Sequence, residues 1–172
     1  MSAELAIQLA LALPLCGALL IALAGRWPNL REAITLLTAC GLFALVLRVL
    51  WALLDGAPPQ VQWLEMLPGL GLALHTEPLS ILFALLASGL WIVTSVYSIG
   101  YMRGNQENKQ TRFYACFAIA LCGAMGVAFA ANLLTLFVFY EVLTLSTWPL
   151  VAHKGDQAAE RGGRTYLLVL MS

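Results

Sequence analysis

The chain has 172 residues, of which 61% are hydrophobic and only 10% charged, and its formal net charge is zero. A soluble domain carries about 25% charged residues, and the mean hydropathy here is +0.85. Together these exclude a water-soluble globular protein and a basic nucleic-acid binder, and point to an all-α, polytopic integral membrane protein whose backbone must be satisfied inside helices.

A spanning helix needs roughly 17 to 25 mainly apolar residues. Leu5 to Ala24 is the first such segment. Its leader carries Glu4 and no cation, and the apolar stretch is longer than a signal-peptide core of about 7 to 15 residues, so a retained helix is expected. Ala33 to Leu54 is the second, with Arg48 close enough to its end to snorkel to the interface. The outer loop Asp55 to Pro78 is unusually apolar; Pro58-Pro59 breaks the helix, Gln60 to Leu67 partly alternates and Pro68-Gly69 supplies a turn, so a short hairpin or amphipathic cover is expected there. His75 in this loop reads as a solvated side chain.

Leu79 to Ile99, Phe113 to Ala131 and Leu133 to Ala152 follow as spans three to five, and a sixth begins near Tyr166 and meets the end of the sequence at Ser172. Spans one to three show no carboxylate or histidine in their cores. Gly17, Gly41 and Gly89 could allow close helix approach. Only Ala131-Asn132 separates spans four and five, which predicts a tight helical hairpin with Asn132 as the cap of span five.

Cations fix an orientation. Arg26 and Arg31, then Arg103, Lys109 and Arg112, then Lys154, Arg161 and Arg164 occupy alternate loops, while Asp55 to Pro78 has none, so the N-terminus is expected outside. Trp27, Trp51, Tyr97, Tyr101, Tyr114, Trp148 and Tyr166 fall near span ends, as an aromatic belt requires. Cys16, Cys40, Cys116 and Cys122 show no metal-ligand spacing and read as small apolar packers.

Glu141 is the chemically informative residue, the only ionised side chain between Arg112 and Lys154. A carboxylate at that depth costs at least about 2.5 kcal/mol on insertion scales, so it marks a pathway more often than not. A glutamate in low dielectric is driven toward its neutral form and a neighbouring cation draws it back, so moving between the two environments takes up and releases a proton. The structural alternative is a protonated acid bonded to another helix. On a helix, Phe137, Thr144, Leu145 and Trp148 share the face of Glu141, and Ser146 and Thr147 add nearby hydroxyls. Pro149 can free a backbone carbonyl, or be an ordinary membrane proline. His153 and Lys154 stand at the inner mouth, as proton relay or as helix-end support. No glycine-rich phosphate loop, metal-ligand spacing or nucleophile with a base is present, so no cofactor is expected and nothing argues for catalysis by this chain alone.

Thr111-Arg112-Phe113-Tyr114-Ala115, Met125-Gly126-Val127-Ala128-Phe129 and the run from Phe139-Tyr140-Glu141-Val142 to Val151-Ala152-His153-Lys154 resemble the antiporter-like family of proton-conducting membrane subunits. That family includes the D and A subunits of Mrp-type monovalent cation/proton antiporters and the L, M and N subunits of respiratory complex I and related hydrogenases. Glu77-Pro78-Leu79-Ser80 resembles the family's entrance to the third span, with Glu for Asp, and Ser98-Ile99-Gly100-Tyr101-Met102 its exit. The wording around Arg164-Thr165-Tyr166-Leu167 is similar to the D type.

The resemblance implies residues 1–112 as three N-terminal helices and 113–172 as the start of the first of two inverted repeats. It implies that Glu141 tunes a lysine on a broken seventh helix. That helix and the second repeat are not in this sequence, so a longer product, a split gene or another chain is expected to supply them, with further membrane subunits, protons and Na+ or K+ as partners. The function so implied is a proton-translocating subunit of a cation/proton antiporter in the bacterial inner membrane. A membrane-arm subunit of a redox-driven complex is the alternative, and a packing protein with a buried hydrogen-bonding acid is a third reading.

Overall fold

A computed structural model describes residues 2–67, 70–105 and 109–151, together with 162, 165–166 and 169–170. Among the described residues five helices are long and apolar enough to cross a membrane: α1 (Ala3–Leu23, continued by a 3-10 turn to Arg26), α2 (Pro28–Leu54), α3 (Pro78–Gly104), α4 (Gln110–Ala128) and α5 (Leu133–Val151). Local chemistry sets their starts. The Ser2 hydroxyl accepts the Leu5 N–H at the head of α1, and Pro28 and Pro78 open α2 and α3 at positions where no intrahelical donor is needed. Gly56, with φ +77, turns the chain out of α2.

Boundaries differ from the hydropathy reading at both ends of the bundle. α2 starts five residues before the expected Ala33 and α3 runs five past the expected Ile99, because polar residues there pair across helices and stay helical. α4 ends at Ala128, so Phe129 to Asn132 form the link to α5.

Between α2 and α3 lies an antiparallel pair, β1 (Gln60–Leu67) and β2 (Leu70–His75), in register from Gln60 opposite His75 to Leu67 opposite Leu70. This is the expected hairpin; Pro68-Gly69 falls outside the described residues. The link closes its free edge: the His75 N–H donates to the Phe129 carbonyl at 2.8 Å, the Ala131 N–H to the Ala73 carbonyl at 3.0 Å, and the Asn132 amide to the Gly71 carbonyl at 2.7 Å. Asn132 also caps α5, its side-chain oxygen accepting the Thr135 N–H at 2.8 Å. An edge of unpaired backbone at the membrane surface is thereby removed.

The helices form a ring in which α1 packs on α2 and α4, α2 on α3, and α3 on α4, while α5 lies outside against α4 with β2 at its head. Ile7, Ile21, Leu42, Val46, Ile81, Trp91, Met125 and Phe129 fill the centre. The hairpin marks one end of the bundle, which we call the hairpin end; the α1–α2 and α3–α4 turns mark the other, the turn end.

Gly126, Gly17 and Gly123 set the closest approaches, and of these only Gly17 is among the glycines singled out by sequence. A Cβ on Gly123 would lie 2.9 Å from the backbone nitrogen of Leu143, and one on Gly126 would overlap the Phe139 ring. Gly17 is similarly pressed by Thr38, whereas Gly89 has ordinary clearance. Gly126→Ala is expected to destabilise the protein by about 1–3 kcal/mol through overpacking, with Phe139→Leu restoring part of the loss. Unfolding in mixed micelles checks this, with Gly100→Ala, which meets open space, unchanged.

Candidate functional site

Glu141 lies at the middle of the 19-residue α5, half-buried. α5 is the least enclosed helix: 17% of its spanning window is buried, against 44% for α1 and for α4. Phe137 and Leu145, on the same helical face as Glu141, are exposed, while Thr144 is buried. The acid therefore sits on the open flank of α5, on the side away from the α4 contact made by Phe139 and Leu143. Among the described residues the Glu141 side chain forms no hydrogen bond and no ion pair.

The expected polar stripe is organised differently. The Ser146 hydroxyl donates to the Leu143 carbonyl at 2.9 Å and the Thr147 hydroxyl to the Thr144 carbonyl at 2.9 Å, so both serve their own helix. Thr147 also pairs with the Tyr166 hydroxyl at 3.0 Å. Such bonds satisfy a hydroxyl in an apolar medium without a second helix. Pro149 lies within α5. His153 and Lys154 lie outside the described residues.

A second set of charged groups stands at the turn end and includes Glu32, one residue before the expected start of the second span at Ala33. It belongs to α2 and is buried, as is Arg31. The Arg103 guanidinium, in the last turn of α3, grips both Glu32 oxygens, with its Nε at 3.0 Å, and also donates to the Asn29 side chain at 2.6 Å. Arg31 donates to the Gln110 side-chain oxygen at 2.6 Å and the Thr111 hydroxyl at 3.2 Å on α4, lies 3.7 Å from Glu32, and covers the Tyr114 ring at 5.3 Å. Tyr114 is thus 2% exposed and not part of the aromatic belt, whereas Trp27, Trp51, Tyr97 and Tyr101 are exposed. Only the contact between helices reveals this clasp; the sequence signal was an Arg-Glu pair just after a proline.

At the hairpin end, a cavity of about 580 Å³ is lined by Gln60, Gln62, His75, Glu77 and Ser80, so His75 faces a pocket shared with a carboxylate, not open solvent alone. Among the described residues no group of three or more His, Cys, Asp and Glu side chains could hold a metal ion. The cysteines are free; Cys122 is the one buried among packed side chains, while Cys16 and Cys40 are exposed.

No family model matches the chain. It is 30% identical over 113 residues to a protein named Na(+)/H(+) antiporter subunit A1 from Staphylococcus haemolyticus, and 31% identical over 103 residues to one of the same name from Staphylococcus aureus. These matches take in 64% and 59% of this chain but only 14% and 12% of the relatives, so the chain spans a small part of their length. The fold is similar to that of a chain in the membrane-bound sulfane sulfur reductase, an archaeal respiratory membrane complex, with a TM-score of 0.81 at 18% identity over 94% of this chain and 33% of the other. The chain is thus similar in sequence to a segment of antiporter subunits and in fold to a chain of a respiratory membrane complex. Both of these relatives are A1 subunits, whereas the sequence resemblance is nearest the D type.

Glu32→Gln should destabilise the helix bundle by about 1–3 kcal/mol, because buried Arg31 loses its carboxylate and Arg103 its charged partner. Arg103→Gln should cost less, since Arg103 is the half-exposed member. Denaturant unfolding of the two variants in detergent measures the order.

Proposed function

We propose that the chain forms part of a proton-translocating subunit of a monovalent cation/proton antiporter, with Glu141 as its proton-exchanging acid. The observation that carries this reading is a mid-membrane carboxylate without a partner among the described residues, on the helix with the most open flank. An acid held there is costly unless it faces a protein interior or a watery cavity. The open flank of α5 is the natural seat for the helix that brings a cation, from another segment or subunit. The names of the Staphylococcus relatives support sodium as the exchanged ion.

In this reading Thr144, buried one turn from Glu141, supports the acid's orientation, and His153 and Lys154 carry protons to or from the mouth of the path. Residues 113–172 open the first inverted repeat, with the turn end facing the cytoplasm, the N-terminus outside, and the whole seated among further subunits in the bacterial cell membrane. The chain neighbouring it in fold sits in a respiratory complex, which favours, as second reading, a membrane-arm subunit driven by redox chemistry elsewhere. The α4–α5 geometry serves both.

In the assembled complex, Glu141→Gln is expected to abolish proton-coupled exchange, a loss of at least about tenfold, with assembly intact, while Glu141→Asp retains part of it. Proton flux into vesicles, followed with a pH-sensitive dye, reads the effect; wild-type flux in Glu141→Gln rejects the assignment. Collapse of an imposed pH gradient by added sodium without an electron donor supports the antiporter, and a strict need for a donor supports the redox-driven subunit.

A further inference from the structure

We propose that the seam between α1 and α4 at the turn end binds the phosphate of an anionic phospholipid, held by Arg26 and Arg112 with Trp27 alongside. Gly25 lies so close to Thr111 that a Cβ on it would sit 3.1 Å from the threonine methyl. Arg26 and Arg112 are the chain neighbours of these two residues, so they flank a single point of contact. Both are exposed, as are Lys109, which begins α4, and Trp27, at 63%.

Two further features make this seam positive. The first-turn amides of α4 have no side-chain cap, because Lys109 takes the N-cap position with φ +58 and offers no acceptor. The residues that could have turned outward to cap them, Gln110 and Thr111, accept hydrogen bonds from Arg31. Arg31 itself is a fixed buried cation behind the seam, with its Nε lacking a partner among the described residues, and Glu32, the acid beside it, is engaged by Arg103. An anion at the seam would meet two guanidinium forks, a lysine and the positive end of a helix.

Depth selects the source of the phosphate. The seam joins the ends of two apolar spans and carries an exposed tryptophan, so it lies at the level of lipid headgroups. A phosphodiester anchored by its acyl chains is present there at high local concentration, unlike a free anion in water. Basic sites between helix ends are suited to such headgroups. This assignment is independent of the transport reading.

The test uses the whole chain in mixed micelles, with phosphatidylglycerol or phosphatidylcholine brominated in the acyl chains, and the tryptophan fluorescence that is lost in Trp27→Phe. Trp27 is expected to be quenched at lower mole fraction of phosphatidylglycerol than of phosphatidylcholine. Arg26→Gln and Arg112→Gln should each reduce that preference about fivefold, and Arg48→Gln should leave it unchanged. Equal quenching by the two lipids, or an undiminished preference in both arginine variants, overturns the proposal. Displacement of phosphatidylglycerol by inorganic phosphate, but not by chloride at matched ionic strength, also overturns it and assigns the seam to a soluble anion. Circular dichroism verifies that each variant is folded, and the wild-type lipid comparison decides the matter even where one is not.

Discussion

A polar group inside hydrocarbon must find its partner within the protein, and this demand shapes every non-helical or charged part of the molecule. At the hairpin end it is met by backbone: β2 would present an open edge, and the carbonyls and amides of Phe129 and Ala131 close it. At the turn end it is met by side chains, with Arg31, Glu32 and Arg103 joining the ends of three helices. Within the membrane the serine and threonine hydroxyls of α5 turn back onto their own carbonyls. Glu141 stands apart because, among the described residues, it has no such arrangement.

The position of Glu141 follows from packing on the far side of its helix. Gly123 and Gly126 bring the backbones of α4 and α5 together, with Leu143 and Phe139 seated over them. Leu143 and Phe139 lie two residues either side of Glu141, about 200° away around the helix, so the contact fixes the rotation of α5 and turns the acid toward the opposite, open flank. The Asn132 cap and the Thr135 hydroxyl, which accepts the Ala73 N–H at 3.0 Å, fix the same helix at its head. Helix α5 is thus anchored along one side and at one end, and its other flank remains available.

Hydropathy counting captured the five spans because a bilayer imposes length and apolarity on each segment separately, and both are local properties of sequence. The hairpin, the Asn132 cap and the rarity of an acid at position 141 were legible for the same reason. Span ends were not. Arg103 reads as a loop charge and Glu32 falls just before the expected second span, yet both are helical, because each cancels the other's charge across 71 positions of sequence. Tyr114 likewise looks like a belt aromatic until Arg31 is found over its ring.

The sequence alone therefore determined the membrane class, the five spans found among the described residues and the isolation of one acid in the middle of the fifth. Tertiary structure decided which glycines bring helices into contact, which charges are internal and which flank of α5 is open. Those outcomes depend on what a neighbouring helix presents at a given height. Hydrophobic content constrains each helix against lipid, whereas pairing and close approach are properties of two surfaces at once.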